Sequence, residues 1–170
     1  MTDETQQSLT TPSQQETTKP AIWIDNDGCP RMVRDMVYHG AKIRGFKVYV
    51  VANRYPGAVP GPWVVPVVVS SGFDAADHYI AERVGPKDLV VTSDIPLAGR
   101  VVEKGAVVLS TRGDILDKTN IGERLAIRNL MQELRSAGDI TGGPQPLGNQ
   151  DKKRFADALD RILTRMTQQK

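Results

Sequence analysis

Hydrophobic residues in this chain fall into short, β-branched runs, AIWID, KVYVVAN, WVVPVVVS, DLVVTS and AVVLST, separated by stretches in which apolar positions recur every three or four residues. Near-continuous apolar runs of this length predict strands buried on both faces. After the first run, Val33, Met36, Val37, Gly40 and Ile43 share one helical face; after the third, Ala76, Tyr79, Ile80 and Val84 do. Only RYPGAVPGP, between the second and third runs, has no helical pattern and is of hairpin length. Strands alternating with helices predict a three-layer α/β fold: a mostly parallel five-stranded sheet, helices on both faces and right-handed crossovers.

Beyond the fifth run, a helix is predicted over residues 120–137, with Ile121, Leu125, Leu130, Met131 and Leu134 as a broad apolar stripe. The Gly- and Pro-rich GDITGGPQPLGN reads as a loop, and Phe155, Leu159, Ile162, Leu163 and Met166 define a last helix. Residues 1–19 are mostly Thr, Gln and Ser, too polar to offset their ordering entropy, and are predicted to be a disordered tail. That leaves residues 20–168 as a single domain, in keeping with 170 residues of which 39% are hydrophobic and 25% charged.

A net charge of +2 supplies no global field for nucleic acid or an anionic membrane, so any basic footprint must be local. The single cysteine, Cys29, excludes an intramolecular disulfide framework and a cysteine-built zinc site and suits a reducing compartment. No apolar run approaches the length of a membrane span, and the first residues lack the order of a signal peptide. The expected location is the cytoplasm.

In an open parallel sheet, ligands bind beyond the carboxyl ends of the strands. Here those ends are acidic. Asp25 and Asp27 follow the first strand, Asp74 and Asp77 follow the third, and Asp94 ends the fourth in Thr92-Ser93-Asp94. The spacing of three puts Asp74 and Asp77 on one face of a helix's first turn. Taken singly, Asp74 and Asp94 are as well explained as helix N-caps. Taken together, such carboxylates repel one another unless a cation neutralises them, and oxygen ligands without His or Cys suit Mg²⁺ or Mn²⁺ rather than Zn²⁺. The expected metal ligands are therefore Asp25, Asp74, Asp77 and Asp94, with Asp27 positioning a water.

An ion held this way would serve phosphodiester hydrolysis. Thr92 and Ser93 are then expected to hydrogen-bond a phosphate. Arg112 heads a basic set, with Arg124, Arg128, Lys152, Lys153, Arg154, Arg161 and Arg165, able to follow a phosphate backbone if they share a face. Cys29 is better read as a small buried residue than as a nucleophile, and His78 is the one histidine placed to face the crevice.

The motifs IDNDGCP, GFDAADHYIAERV, VTSDIPLAGRVVEKGA, NIGERLAIRNLMQELRSAG, TGGP and FADALDRIL, in that order from Ile22 to Leu163, resemble the YaiI/YqxD family of bacterial proteins. The resemblance implies a PIN-like fold, similar to metal-dependent nucleases whose acidic residues follow the first strand, sit on an intervening helix and end the fourth strand in Thr-x-Asp. Those positions fall on Asp25, on Asp74 or Asp77, and on Thr92-Ser93-Asp94. The sequence departs from typical PIN nucleases after the next strand, where the nearest further acid is Asp114, and from the family at Asn26, where the residue is usually small.

The leading expectation is a metal-dependent nuclease acting on nucleic acid, RNA before DNA. Two alternatives use the same residues. One is a non-catalytic PIN-like module that binds RNA or a partner protein. The other is a haloacid-dehalogenase-like phosphatase with Asp25 as nucleophile, Asp27 as acid and Lys104 as its third motif. A homodimer through the C-terminal helices is a further expectation.

Overall fold

The computed structural model describes residues 19–168 apart from 73 and 144, so the predicted tail lies outside the described residues except for Lys19. Strands β1 (Ile22–Asp25), β2 (Val48–Ala52), β3 (Val64–Val68), β4 (Leu89–Val91) and β5 (Val107–Leu109) run parallel, and β6 (Ile115–Leu116) adds an antiparallel edge. The order across the sheet is β3-β2-β1-β4-β5-β6. The sequence predicts five strands. The sixth is a two-residue partner of β5, too short to register as an apolar run.

Alternation along each strand builds the layers. Ile22, Ile24, Val48, Val50, Leu89 and Val91 turn toward α1 (Arg31–Arg44) and α5 (Asn149–Gln168), where Val33, Val37, Phe155 and Leu163 meet them. Trp23, Val51, Val90 and Val108 turn the other way, toward α2 (Ala75–Arg83) and α3 (Ile95–Glu103). The last helix in the layer order, α4 (Ile121–Ser136), packs on the outside of α3. Among the described residues no helix is long and apolar enough to cross a membrane.

Two sequence expectations need correction. RYPGAVPGP does not close a hairpin, because β2 and β3 are parallel. Residues 53–63 can reach on the order of 35 Å when extended, ample to run back along a five-residue strand of about 17 Å without a helix. Trp63 anchors the returning end by donating its indole N–H to the Tyr38 carbonyl at 2.9 Å. The second correction concerns α4, none of whose residues is buried. Its apolar positions form two stripes rather than one, since Ile121 packs toward the α2/α3 core while Ile127 and Leu130 are about half exposed.

The chain moves outward through β1, β2 and β3, then α2 carries it back across β1 to β4. The carboxyl ends of β1 and β4 therefore flank the point where strand order reverses, the usual position of a ligand crevice in an open α/β sheet. The far side of the sheet is locked by Asp114, which accepts from Arg154 at 2.8 Å and Arg124 at 3.3 Å and so ties the β5–β6 turn to α5 and α4. Gly113 lets that turn approach α5. It has φ +91°, and a Cβ there would lie 2.7 Å from the backbone carbon of Arg154 and 2.8 Å from the Phe155 nitrogen. Gly113→Ala is expected to lower stability by about 3 kcal/mol through backbone strain and overpacking, read as a lower urea midpoint with an unchanged slope.

Candidate carboxylate site

Three elements bring acid to the switch point. Asp25, the last residue of β1, is 4% exposed, and its carboxylate accepts from the Thr92 hydroxyl at 3.0 Å and from the Asp27 N–H at 3.2 Å. The same Thr92 oxygen accepts the N–H of Asp94 at 3.0 Å. One buried hydroxyl thus ties the ends of β1 and β4 together, giving its proton to Asp25 and its lone pair to the backbone of Asp94. Asp94 then caps α3, with Oδ1 accepting from the Leu97 N–H at 3.0 Å and Pro96 in the first turn. Its role as a cap engages one oxygen and leaves the other free of the helix.

Asp77 approaches from the first turn of α2, where the charges of Asp94 and Asp25 act on its carboxyl. Burial, followed by the charges of Asp94 and Asp25, pushes the Asp77 carboxyl up to about 7. Burial also raises Asp25, to about 6, against the lowering effect of the Thr92 and Asp27 donors and with further help from the Asp27 and Asp94 charges. Asp25 and Asp77 are thus both hard to ionise, by burial first and by neighbouring negative charge second.

Of the four expected metal ligands, Asp25, Asp77 and Asp94 are brought together, and Asp74 stands at the rim. Asp74 is exposed, has φ 59° and makes no side-chain cap hydrogen bond. It precedes the helix, so the spacing of three does not stack it over Asp77 as the sequence suggests. Asp27 is exposed beside Asp25. Ser93 is exposed, its hydroxyl 2.7 Å from that of Thr111 at the end of β5.

Several other candidates are engaged elsewhere. Arg112, expected to contact substrate, instead pairs with Asp151 at 3.1 Å and donates to the Gln145 carbonyl, holding the loop before α5. Asp114 is neutralised by its two arginines. Lys104, at the C-terminal cap of α3, donates to the Ala81 carbonyl. That places it about 15 Å along the helix from Asp94, so the phosphatase reading loses its lysine. His78 is exposed and faces Arg100, with Nδ1 3.2 Å from Nη1. Burial raises the Cys29 thiol to about 12, which leaves it protonated and weakly nucleophilic at neutral pH.

One contact leaves no trace in the sequence pattern. Arg34, in the first turn of α1, donates to the Asn26 side-chain oxygen at 2.9 Å and so fixes the residue between Asp25 and Asp27. Its Nε is the one buried side-chain polar atom without a partner among the described residues. The spacing from Asn26 to Arg34 acquires meaning only once the turn at Gly28, φ 70°, folds α1 back over the strand end.

The donor set consists of carboxylate and hydroxyl oxygen, which fits Mg²⁺ or Mn²⁺ by chemistry. Among the described residues, no group of three or more His, Cys, Asp or Glu side chains is placed to hold a metal ion in this arrangement. Mg²⁺ commonly takes only one or two direct carboxylates and keeps several waters, so a closed all-protein cage is not what the chemistry requires.

Residues 23–165 match a protein family described as "Uncharacterized BCR, YaiI/YqxD family". Similar relatives include a "UPF0178 protein" of Citrifermentans bemidjiense, 50% identical over 148 residues that span 87% of this chain and 96% of the relative. One of Saccharophagus degradans is 44% identical over 144 residues, covering 85% and 95% respectively. Another, of Pseudomonas fluorescens, is 49% identical over 149 residues, covering 87% and 98%. No solved structure matches the chain.

Proposed function

The chain belongs to the YaiI/YqxD family, and from the chemistry of its carboxylate crevice we propose that it is a PIN-like, metal-dependent phosphodiester hydrolase acting on nucleic acid in the cytoplasm, with RNA the favoured substrate. The observation that carries this reading is the meeting of Asp25, Asp77 and Asp94, from three separate elements, at the switch point of the sheet, where burial first and neighbouring carboxylate charge second make Asp25 and Asp77 hard to ionise. A protein gains no stability from such crowding, which makes a cationic ligand the simplest reason for it.

Asp25, Asp77 and Asp94 would hold the ion. When bound, Mg²⁺ or Mn²⁺ supplies an activated water and neutralises a phosphate oxygen. The chain's own groups do the rest. Thr92 fixes the Asp25 and Asp94 strand ends relative to each other. Asp27, exposed and hydrogen-bonded through its backbone to Asp25, orients the attacking water. The exposed Ser93 hydroxyl, oriented by that of Thr111, offers a donor to a phosphate at the rim, and Arg34 holds the Asn26 turn in register.

The lack of a finished shell among the described residues favours, as a second reading, a binding module that never hydrolyses its nucleic acid or protein partner. Cleavage of mixed single-stranded and structured RNA and DNA with Mg²⁺ or Mn²⁺ separates the two, comparing the native chain with Asp25→Asn and Asp94→Asn. Metal-dependent cleavage lost in both folded variants supports hydrolysis. Binding without cleavage, unchanged in the variants, supports the module.

A further inference from the structure

The two flanks of the carboxylate crevice differ in how far their positive charge is neutralised. On the β5 side, Arg112, Arg124 and Arg154 are each committed to a carboxylate, of Asp151 or Asp114. On the α1 side, among the described residues, Arg34 donates only to the neutral Asn26 side chain next to Asp25, and its Nε has no partner. Arg34 also heads a stripe. Arg34, Tyr38 and Lys42 recur every four residues and so share one side of α1, about 6 Å apart along its axis. Contacts show which side it is. Trp63 donates its indole N–H to the Tyr38 carbonyl at 2.9 Å, and Lys42 Nζ sits 5.1 Å from the centre of the Trp63 ring. Below them Lys42, Gly45, Phe46 and Trp63 line a groove of about 290 Å³, where Lys19 Nζ lies 3.5 Å from the position of a Cβ on Gly45.

We infer that this stripe is the path of a single-stranded nucleic acid running out of the crevice, with Arg34, Lys42 and Lys19 on its phosphates and Tyr38 and Trp63 along its bases. This path presupposes that the crevice acts on nucleic acid, and it narrows the substrate to single strands. Charge selects the direction, because a polyanion entering an acidic crevice needs positive charge that is not already neutralised. Residues 53–63 contain no acid, and Asp35, the one acid of α1, faces Arg31 at 4.0 Å. Arg44 pairs with Asp160 at 2.5 Å, whereas neither Lys19 nor Lys42 meets a carboxylate among the described residues. The aromatic residues select the strandedness. Tyr38 and Trp63 are only partly buried, and cations alternating with rings follow one backbone while unpaired bases lie on the rings. A duplex keeps its base faces stacked inside and would gain from the charges alone.

The test is the fluorescence anisotropy of labelled oligouridylates bound by the full chain in EDTA, where metal-dependent cleavage cannot proceed. A strand of about twelve nucleotides covers crevice and stripe, whereas one of about three covers the crevice alone. The native chain should hold the longer strand more tightly than the shorter one and more tightly than a duplex of equal length. Lys19→Gln combined with Lys42→Gln should weaken the longer strand about tenfold at low salt. It should also flatten the dependence of log K on log salt by about 1.4, two contacts at roughly 0.7 each. The shorter strand should be unaffected. Both strands should bind as before to Lys42→Arg and to Arg128→Gln, which removes a charge from α4 instead. A double variant with native affinity and slope would overturn the path, as would an equal loss in Arg128→Gln or tighter binding of the duplex. If such a native chain still cleaves single strands with Mg²⁺ or Mn²⁺, the path alone fails. A native chain that neither binds nor cleaves any strand overturns the nucleic-acid function of the crevice as well.

Discussion

Asp25→Asn is expected to make the metal-free protein more stable at pH 8, although it alters a buried, hydrogen-bonded residue. In the unfolded chain Asp25 ionises near the ordinary value of about 3.9, whereas burial holds it near 6 in the folded protein. Between those values the folded state binds the extra proton. Stability therefore rises as pH falls from neutrality toward 4, and above pH 7 the ionised carboxylate is a net destabiliser. Two units of displacement correspond to about 3 kcal/mol at most, and Asn keeps an oxygen for the Thr92 hydroxyl, so a gain of about 2 kcal/mol is reasonable. For a chain of this size that is a rise in Tm of roughly 4–8 °C. Urea unfolding in EDTA at pH 8 and pH 4.5 would measure it, with the difference between native and Asp25→Asn shrinking toward zero at the lower pH. A variant less stable than the native chain at pH 8 would mean that the carboxylate is held for structure rather than for a ligand.

The second large effect is on cleavage, and it separates two aspartates that the sequence could not. Asp77→Asn should reduce metal-dependent cleavage by at least about a hundredfold, since removal of a direct ligand should exceed the roughly 10–100-fold typical of outer-shell changes. Asp74→Asn, at the exposed rim, should change it less than about threefold. Asp94→Asn is the informative companion because Asn caps a helix as well as Asp does, so the hydrogen bond to Leu97 survives and only the charge is lost. Rates of the proposed cleavage should rise between pH 6 and 8 in the native protein, as Asp25 and Asp77 lose their protons to an incoming cation.

The strands and most helices were legible in the sequence because each carries its own signal: a β-branched run or a repeat every three or four residues. What was not legible depends on partners distant along the chain. The parallel β2–β3 pair looked like a hairpin because RYPGAVPGP is short and has no helix, yet the sheet tolerates a plain extended return. The apolar positions of α4 read as one broad stripe because periodicity reports amphipathicity and not what covers it. Asp25, Asp27 and Asp94 were placed by the rule that strand ends carry the chemistry. Asp74 and Asp77 were equated by a spacing that holds only inside a helix, and α2 begins one residue too late to include Asp74. Arg112 could not be assigned without knowing that Asp151, 39 residues on, would take its guanidinium. The grip of Arg34 on Asn26 was hidden for the same reason.

Whether the crevice holds a cation at all is tested most directly by titrating Mn²⁺ into the metal-free chain and following free Mn²⁺ by electron paramagnetic resonance. The expected result at pH 7.5 is saturable binding of one ion per chain, abolished in Asp77→Asn and Asp94→Asn and weakened at pH 5.5, where protons hold Asp25 and Asp77. No saturable binding up to about 1 mM, or binding that survives in both variants, would contradict a metal-dependent function for these carboxylates.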